Sequence, residues 1–374
     1  MRRWSVYWFF LVWFWLMVNS TGVAWASGEL YEKAKVIKVE SVEAEERVEG
    51  QYFEEQAVTV EVLTGKHKGK ILTAGNTLSG SPGWDIIVDE GDKVILYISE
   101  ENGQIQEVYI SDLERASYLN YLIIGFVLSL VVIGGIKGVK SLVALGLTIL
   151  AIYKILLPGL INGYSPIPLT IVISVGVTLI TMIIVAGLTK KAIAASLGTL
   201  GGVLVAGILA TITGDLAHLT GFASEESRML LYVEDIKVDI RGLLFAGIII
   251  GALGAIMDVA MSIASAVEEV KQANPALSIA RMIKAGMNVG RDIMGTMANT
   301  LILAYTGGAL PLLLLYLAYE TSGMRILNTE LIATEIIRAI AGSIGLIISV
   351  PITAIISGIL SSNRWRRKNE KNVY

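Results

Sequence analysis

Asp258 is the one ionisable side chain in an apolar run from Gly242 to Val267, GLLFAGIIIGALGAIMDVAMSIASAV. A run of about 20 apolar residues is long enough to cross a bilayer, and an acid inside one is costly to place against lipid. The chemistry open to a lone carboxylate in that setting is the binding and release of a proton or a small cation. On a helix, Gly247, Gly251, Gly254, Asp258, Ser262 and Ser265 recur at spacings of 4, 3, 4, 4 and 3, so they share one face. Small residues let membrane helices approach closely. Gly247, Gly251 and Gly254 are therefore expected to be helix-packing positions, with Asp258 pointing into a tight protein interface.

A second polar stripe follows about 35 residues later. Asp292, Thr296, Asn299, Leu303 and Thr306 recur at 4, 3, 4 and 3, with Arg291 and Asp292 at the start of the run. A third run carries Arg338, Gly342, Gly345, Ser349 and Thr353, with Pro351 as an expected kink. Gly342 and Gly345 read as packing positions. Three convergent polar faces, one with a carboxylate, have the form of a proton or ion pathway. In that reading Asp258 exchanges protons, with Asn299, Thr296 and Ser262 as hydrogen-bonding partners and Arg291 and Asp292 nearby. In the alternative, Asp258 makes a packing hydrogen bond near the membrane interface and carries nothing.

Other chemistries lack material. The chain has no cysteine, and its two histidines, His67 and His218, fall in different parts of the sequence. Thiolate sites, disulfides and His-rich metal sites are excluded on that count. There is no H-E-x-x-H helix, Gly-x-Ser-x-Gly elbow, paired membrane aspartates or Ser–Lys dyad, and no GxxxxGK[ST] loop. The expectation is a protein that is not an enzyme and uses no cofactor or metal.

The elements that must hold these residues follow from composition. Of 374 residues 54% are hydrophobic and 17% charged, against about 25% charged in ordinary soluble domains. Residues 1–26 read as a signal peptide, with Arg2 and Arg3 before an apolar core and Ala24-Trp25-Ala26 as cleavage site, or as a first membrane helix. Residues 27–115 alternate with period two at Ala34–Val39, Ala57–Leu63, Lys93–Ile98 and Ile105–Ile110, between glycine-bearing turns. Five or six short strands predict a small β-barrel of OB or SH3-like type. This head holds 19 acidic and 9 basic residues, so nucleic acid is not an expected partner.

Residues 116–361 contain seven apolar segments, approximately 118–136, 141–157, 168–188, 192–214, 242–264, 292–318 and 335–360. Residues 362–374 form a basic tail. With the head outside, Lys137, Lys140, Lys190, Lys191, Lys271, Arg281, Lys284 and Arg291 face the cytoplasm, as the positive-inside rule requires. Ser224 with Glu225 and Glu226 predicts a short outer helix. Asp215 and His218 read as a surface pair. The expected partners are the lipid bilayer and another membrane subunit or a second copy of the chain.

The run GALGAIMDVAMSIASAVEEV, followed by GMNVGRDIMGTMANTLILAYTGGALPLLL, resembles the YibE/F family of bacterial membrane proteins. The resemblance extends from about Ala57 (AVTVEVLTGKHKGK) to Ser357 and implies a multi-pass plasma-membrane protein of uncharacterised activity. More distantly, Gly251 to Gly307 is similar to the Asp-bearing helix and its successor in the SecD/SecF and RND exporters. That likeness implies Asp258 as a proton-relay residue, with Asn299 and Thr300 as neighbours. This chain departs from it in its seven apolar segments after the head.

The expectation is a polytopic α-helical membrane protein with a small extracytoplasmic β-barrel-like domain, assisting transport or export and coupled to protons through Asp258. The alternative is a scaffold that transports nothing and whose head binds a partner protein.

Overall fold

The computed structural model describes residues 29–42, 54–81, 83–101, 103–233 and 237–362. The expected signal segment and basic tail lie outside these. The chain divides into two compact units, residues 1–133 and 134–374.

In the first unit five strands close a barrel: β1 (Glu29–Val42), β2 (Glu54–Val62), β3 (Ile71–Leu78), β4 (Lys93–Glu101) and β5 (Gln104–Leu113). The order is β1-β2-β3-β5-β4, closing on β1, with β3 and β5 parallel and the other pairs antiparallel. One parallel pair within a closed five-stranded Greek key is the OB arrangement, which decides between the two barrel types expected. Alternate residues fill the interior: Ala34 and Val36, Val58, Val60 and Val62, Ala74, then Val94, Leu96 and Ile98. Ile37 breaks the alternation of β1, and a bulge between Val36 and Lys38 absorbs it, leaving Ile37 43% exposed. The sequence Ile71-Leu-Thr-Ala-Gly-Asn-Thr-Leu78 alternates poorly and hides β3. Its Gly75 faces Tyr109 of β5, and a Cβ there would stand 3.1 Å from the ring, so glycine permits the parallel contact.

One turn is clamped to the barrel. The Glu32 carboxylate accepts the backbone N–H groups of Lys66 (2.7 Å) and His67 (3.3 Å). Gly65 holds φ 80°, and a side chain there would collide with Glu32. His67, 2% exposed, has Nδ1 3.3 Å from Glu32 and Nε2 2.6 Å from Glu100, whose other oxygen accepts from Lys66 Nζ at 2.6 Å.

The remainder is helical: α1 (Ala116–Ala151), α2 (Leu157–Ile161), α3 (Pro166–Ala186), α4 (Lys190–Leu216), α5 (Glu225–Met229), α6 (Ile240–Ala273), α7 (Ile279–Gly308), α8 (Leu310–Ala318), α9 (Gly323–Leu327) and α10 (Glu330–Leu360). A π-helical turn, Ile152–Leu156, joins α1 to α2. Among the described residues five helices are long and apolar enough to cross a membrane, or six if α7 and α8, bent by 58°, form one span. The expected seven differs in dividing the first of these, Ala116–Ile161, into two helices and in counting α7 with α8 as one. Lys137–Lys140, the interval between the first two expected segments, is helical, and the interruption lies just before it. The first two expected segments thus form one 46-residue stretch, Ala116–Ile161, whose helical geometry is broken at Gly135 (φ 54°, ψ −132°). The α7–α8 bend falls at Gly307-Gly308-Ala309, with Pro311 near the start of α8.

The bundle core is built from α4, α6, α7 and α10. Bulky residues of α6 seat against glycines of its antiparallel neighbour α4: Phe245 on Gly214, Ile249 on Gly207 and Ile256 on Gly202. A Cβ at those glycines would meet the facing side chain at 2.5, 3.2 and 2.8 Å respectively. Ile263 does the same against Gly286 and Gly290 of α7, at 3.3 and 3.1 Å. Without a hydrophobic drive between helices in lipid, close packing of this kind supplies the association energy. Apolar side chains are also exposed on these helices, with Ile208 of α4 and Leu303 of α7 both more than half exposed.

Candidate functional site

The packing of α6 decides where its polar stripe goes. Ile248, Ile249, Ala252, Leu253, Ile256, Val259, Ala260 and Ile263 are buried, and Gly247, Gly251, Gly254, Asp258 and Ser262 are exposed. The sequence reading placed the small residues in the tight interface; the structure puts the bulky face there. The reason is that α4, α7 and α10 already bring the glycines, so α6 contributes the side chains that fill them. A Cβ added at Gly247 or Gly254 would meet nothing within 4 Å. Gly251 is covered only by the Tyr305 hydroxyl of α7. By contrast Gly342 and Gly345 are buried in packing contacts: Gly342 lies near Ala252 and Leu301, and Gly345 lies against Gly202 and Ala206 of α4.

Asp258 therefore stands at an opening rather than in a seam. It lines a cavity of about 390 Å³ between the later part of α1, α3 and α6. Four hydroxyls share that cavity, Ser141 and Thr148 from α1 and Ser174 and Thr181 from α3, among aliphatic and methionine side chains. Asp258 is the sole charged residue of the lining. Ser141 and Thr148 donate to carbonyl oxygens one turn back in their own helix, at 3.1 and 2.9 Å, and keep oxygen lone pairs for a guest. Ser174 is 2% exposed. A carboxylate sharing a small half-open space with hydroxyls can hold a proton, a hydronium or a dehydrated monovalent cation.

The α7 residues are arranged differently from the expectation. Arg291, Asp292, Thr296, Asn299 and Thr300 lie on the exposed side of α7 and do not line the Asp258 cavity. Thr296 donates to the Ile293 carbonyl and Thr300 to that of Thr296, both at 2.9 Å, which occupies their protons within the helix. Among the described residues no hydrogen bond or ion pair links Asp258 to Asn299, Thr296, Thr300, Ser262, Arg291 or Asp292. The hydroxyl-bearing residues that share the cavity with Asp258 come from α1 and α3 instead. Their signal was present: Thr170, Ser174, Thr178 and Thr181 recur at 4, 4 and 3, a polar stripe as regular as the one on α6.

A second polar group joins three helices. On α10 Arg338 donates to Glu335 at 2.6 Å and lies 5.9 Å from the Tyr305 ring of α7, whose hydroxyl reaches Gly251 of α6. At one end of the bundle Asp215 pairs with Arg241 of α6 instead of with His218, and Glu330 accepts from Thr220 and Gly221. Ser224 caps α5 by accepting from the Ser227 N–H at 3.2 Å, as the sequence predicts. No group of three or more His, Cys, Asp or Glu suited to a metal ion exists among the described residues.

Comparison with known proteins matches two family models. One, described as a YibE/F-like protein, covers residues 122–363, and the other, a YibE/F family N-terminal domain, covers residues 29–113. No curated protein and no solved structure matches the chain.

Proposed function

The chain belongs to the YibE/F family, and from that premise we propose a multi-pass plasma-membrane protein that assists transport or export, with Asp258 as its proton- or cation-binding group. The observation that carries the reading is the Asp258 carboxylate, the one charged residue lining a mostly apolar cavity of about 390 Å³ that also holds four hydroxyl-bearing residues. An acid retained in such a place without an ion-pair partner costs stability, so its presence points to a role in what enters the cavity. Proton coupling agrees with the distant likeness of Gly251 to Gly307 to the SecD/SecF and RND exporters. The proposed orientation places the barrel outside and the lysine-rich ends, including Lys190, Lys191, Lys271 and Lys284, in the cytoplasm. In this reading the protein is not an enzyme and needs no cofactor. The test is proton or monovalent-cation flux into liposomes holding the full chain. Flux in the parent that disappears in Asp258→Asn supports the proposal, and equal flux in both forms, or none in either, defeats it.

A second reading is favoured by one observation, the exposed polar stripe Arg291, Asp292, Thr296, Asn299 and Thr300 on a helix of the bundle. Polar groups facing lipid are unfavourable, and another subunit would cover them. In that reading the protein is a scaffold that recruits a partner and moves nothing. Cross-linking from Asn299→Cys to another chain, together with absent flux, would favour it.

A further inference from the structure

At the end of the bundle where α4 begins and α6 and α10 end, a second cavity of about 220 Å³ is lined mostly by polar and charged residues. Its lining brings together Lys190 and Lys191 from the start of α4, Glu268, Lys271 and Gln272 from the end of α6, and Ser357 from α10. Lys191 and Lys271 against Glu268 leave an excess of positive charge in a partly enclosed space. Glu268 sits 3.0 Å from Lys191, and Lys271 donates to the Pro275 carbonyl at 2.6 Å. An ammonium has three N–H donors, so both lysines keep donors for another acceptor.

Two further features converge there. The cavity sits at the N-terminus of α4, a helix of 27 residues, where the peptide dipoles add positive potential and favour an anion. Independently, the Ser357 hydroxyl is buried, with the residue 3% exposed, and has no hydrogen-bond partner among the described residues. A buried hydroxyl without a partner is unfavourable, and a bound acceptor in the cavity would relieve it.

We propose that Lys191, Lys271 and Ser357 form a binding site for a phosphate group at the N-terminus of α4. Several donors arriving from three helices suit an anion with three or four oxygens better than a carboxylate with two. The volume lies below that of pockets for drug-sized ligands and suits a headgroup or a small phosphorylated solute. The position, at the level where apolar helix gives way to lysine and glutamate, brings both a lipid phosphodiester and a soluble phosphate within reach. The site is separate from the Asp258 cavity, and the two stand or fall independently.

The experiment measures the thermal midpoint of the full-length protein in a non-ionic detergent. It is titrated separately with inorganic phosphate, phosphatidylglycerol, phosphatidylcholine and acetate. The expected result is a rise with phosphatidylglycerol or with inorganic phosphate, and none with acetate. Lipid alone identifies a headgroup site, inorganic phosphate alone a solute site, and both a site that reads the phosphate itself. The double variant Lys191→Gln/Lys271→Gln should bind about tenfold more weakly or worse, and Lys140→Gln/Lys284→Gln, outside the cavity, should bind as the parent does. Should the double variant fail to fold, Ser357→Ala, which only removes an unpaired hydroxyl, should fold and bind more weakly. No rise with either phosphate source, an equal rise with acetate, or undiminished binding in both the cavity variants would overturn the proposal.

Discussion

Gly202 of α4 and Gly345 of α10 face each other so closely that a Cβ on either would fall within 2.7 Å of the other's carbonyl oxygen. This contact brings two backbones together, and Ile256 of α6 seats against the same Gly202. The consequence reaches the candidate site: with its bulky face committed to this core, α6 turns Gly254 and Asp258 outward to the cavity.

Packing therefore predicts opposite outcomes for two sets of glycines. Gly345→Val should reduce the yield of monodisperse protein in detergent and lower stability by about 1–3 kcal/mol or more, from overpacking against backbone. Gly247→Ala and Gly254→Ala, with open space at the Cβ position, should leave the thermal midpoint unchanged or slightly raised. Equal destabilisation by both sets would contradict the outward-facing stripe.

The absence of native cysteine makes cavity access directly measurable. Gly254→Cys, beside Asp258 in the cavity lining, should react with a small water-soluble maleimide in membranes. Ile256→Cys, at a position 0% exposed, should not. If neither reacts, water does not reach the cavity and the account of Asp258 as an exchanging group fails.

Orientation has its own check in whole cells. Trp84→Cys in the barrel, where the tryptophan is 86% exposed, should be labelled from outside, and Lys284→Cys only in inverted vesicles. The reverse pattern would place the barrel in the cytoplasm.

In the barrel, Glu114 gives a pH dependence of definite sign. Burial alone would raise its pKa, but hydrogen bonds from Lys33 Nζ at 2.7 Å and from Ser117 outweigh that and hold it below the ordinary 4.5. Folding thus favours the charged form, so the contribution is fully present above the unfolded value and is lost as pH falls through the lower folded one. Glu100, lowered chiefly by its hydrogen bond with Lys66, acts in the same direction. Hydrogen exchange in β1 and β4 should accelerate, after correction for intrinsic rates, as pH drops below about 4. Glu114→Gln should blunt that acid response and lower stability at neutral pH by about 1–3 kcal/mol.

How far the sequence could be read depended on what each pattern encodes. Period-two alternation located β1, β2, β4 and β5, while β3 was hidden by Gly75 and Asn76, which answer to Tyr109 and Ile86 across the barrel. The apolar segments located the long helices, and the break between the first two falls at Gly135, just before the Lys137–Lys140 interval. The Gly247–Ser262 stripe was legible as a face. Its direction was not, because a glycine stripe serves equally as a hole for a neighbour's side chain or as an open wall. The choice was made by glycines elsewhere, at 202, 207 and 214 on α4. For the same reason Asn299 was expected beside Asp258, and Ser174 and Thr181 were not.

The central claim is that Asp258, served by the α1 and α3 hydroxyls, is the group through which a proton or monovalent cation passes. The most direct measurement is flux into liposomes under an imposed gradient, comparing the parent with Asp258→Asn and Asn299→Ala at equal reconstituted protein. The account predicts flux in the parent, its loss in Asp258→Asn and its retention in Asn299→Ala. Undiminished flux in Asp258→Asn would contradict it.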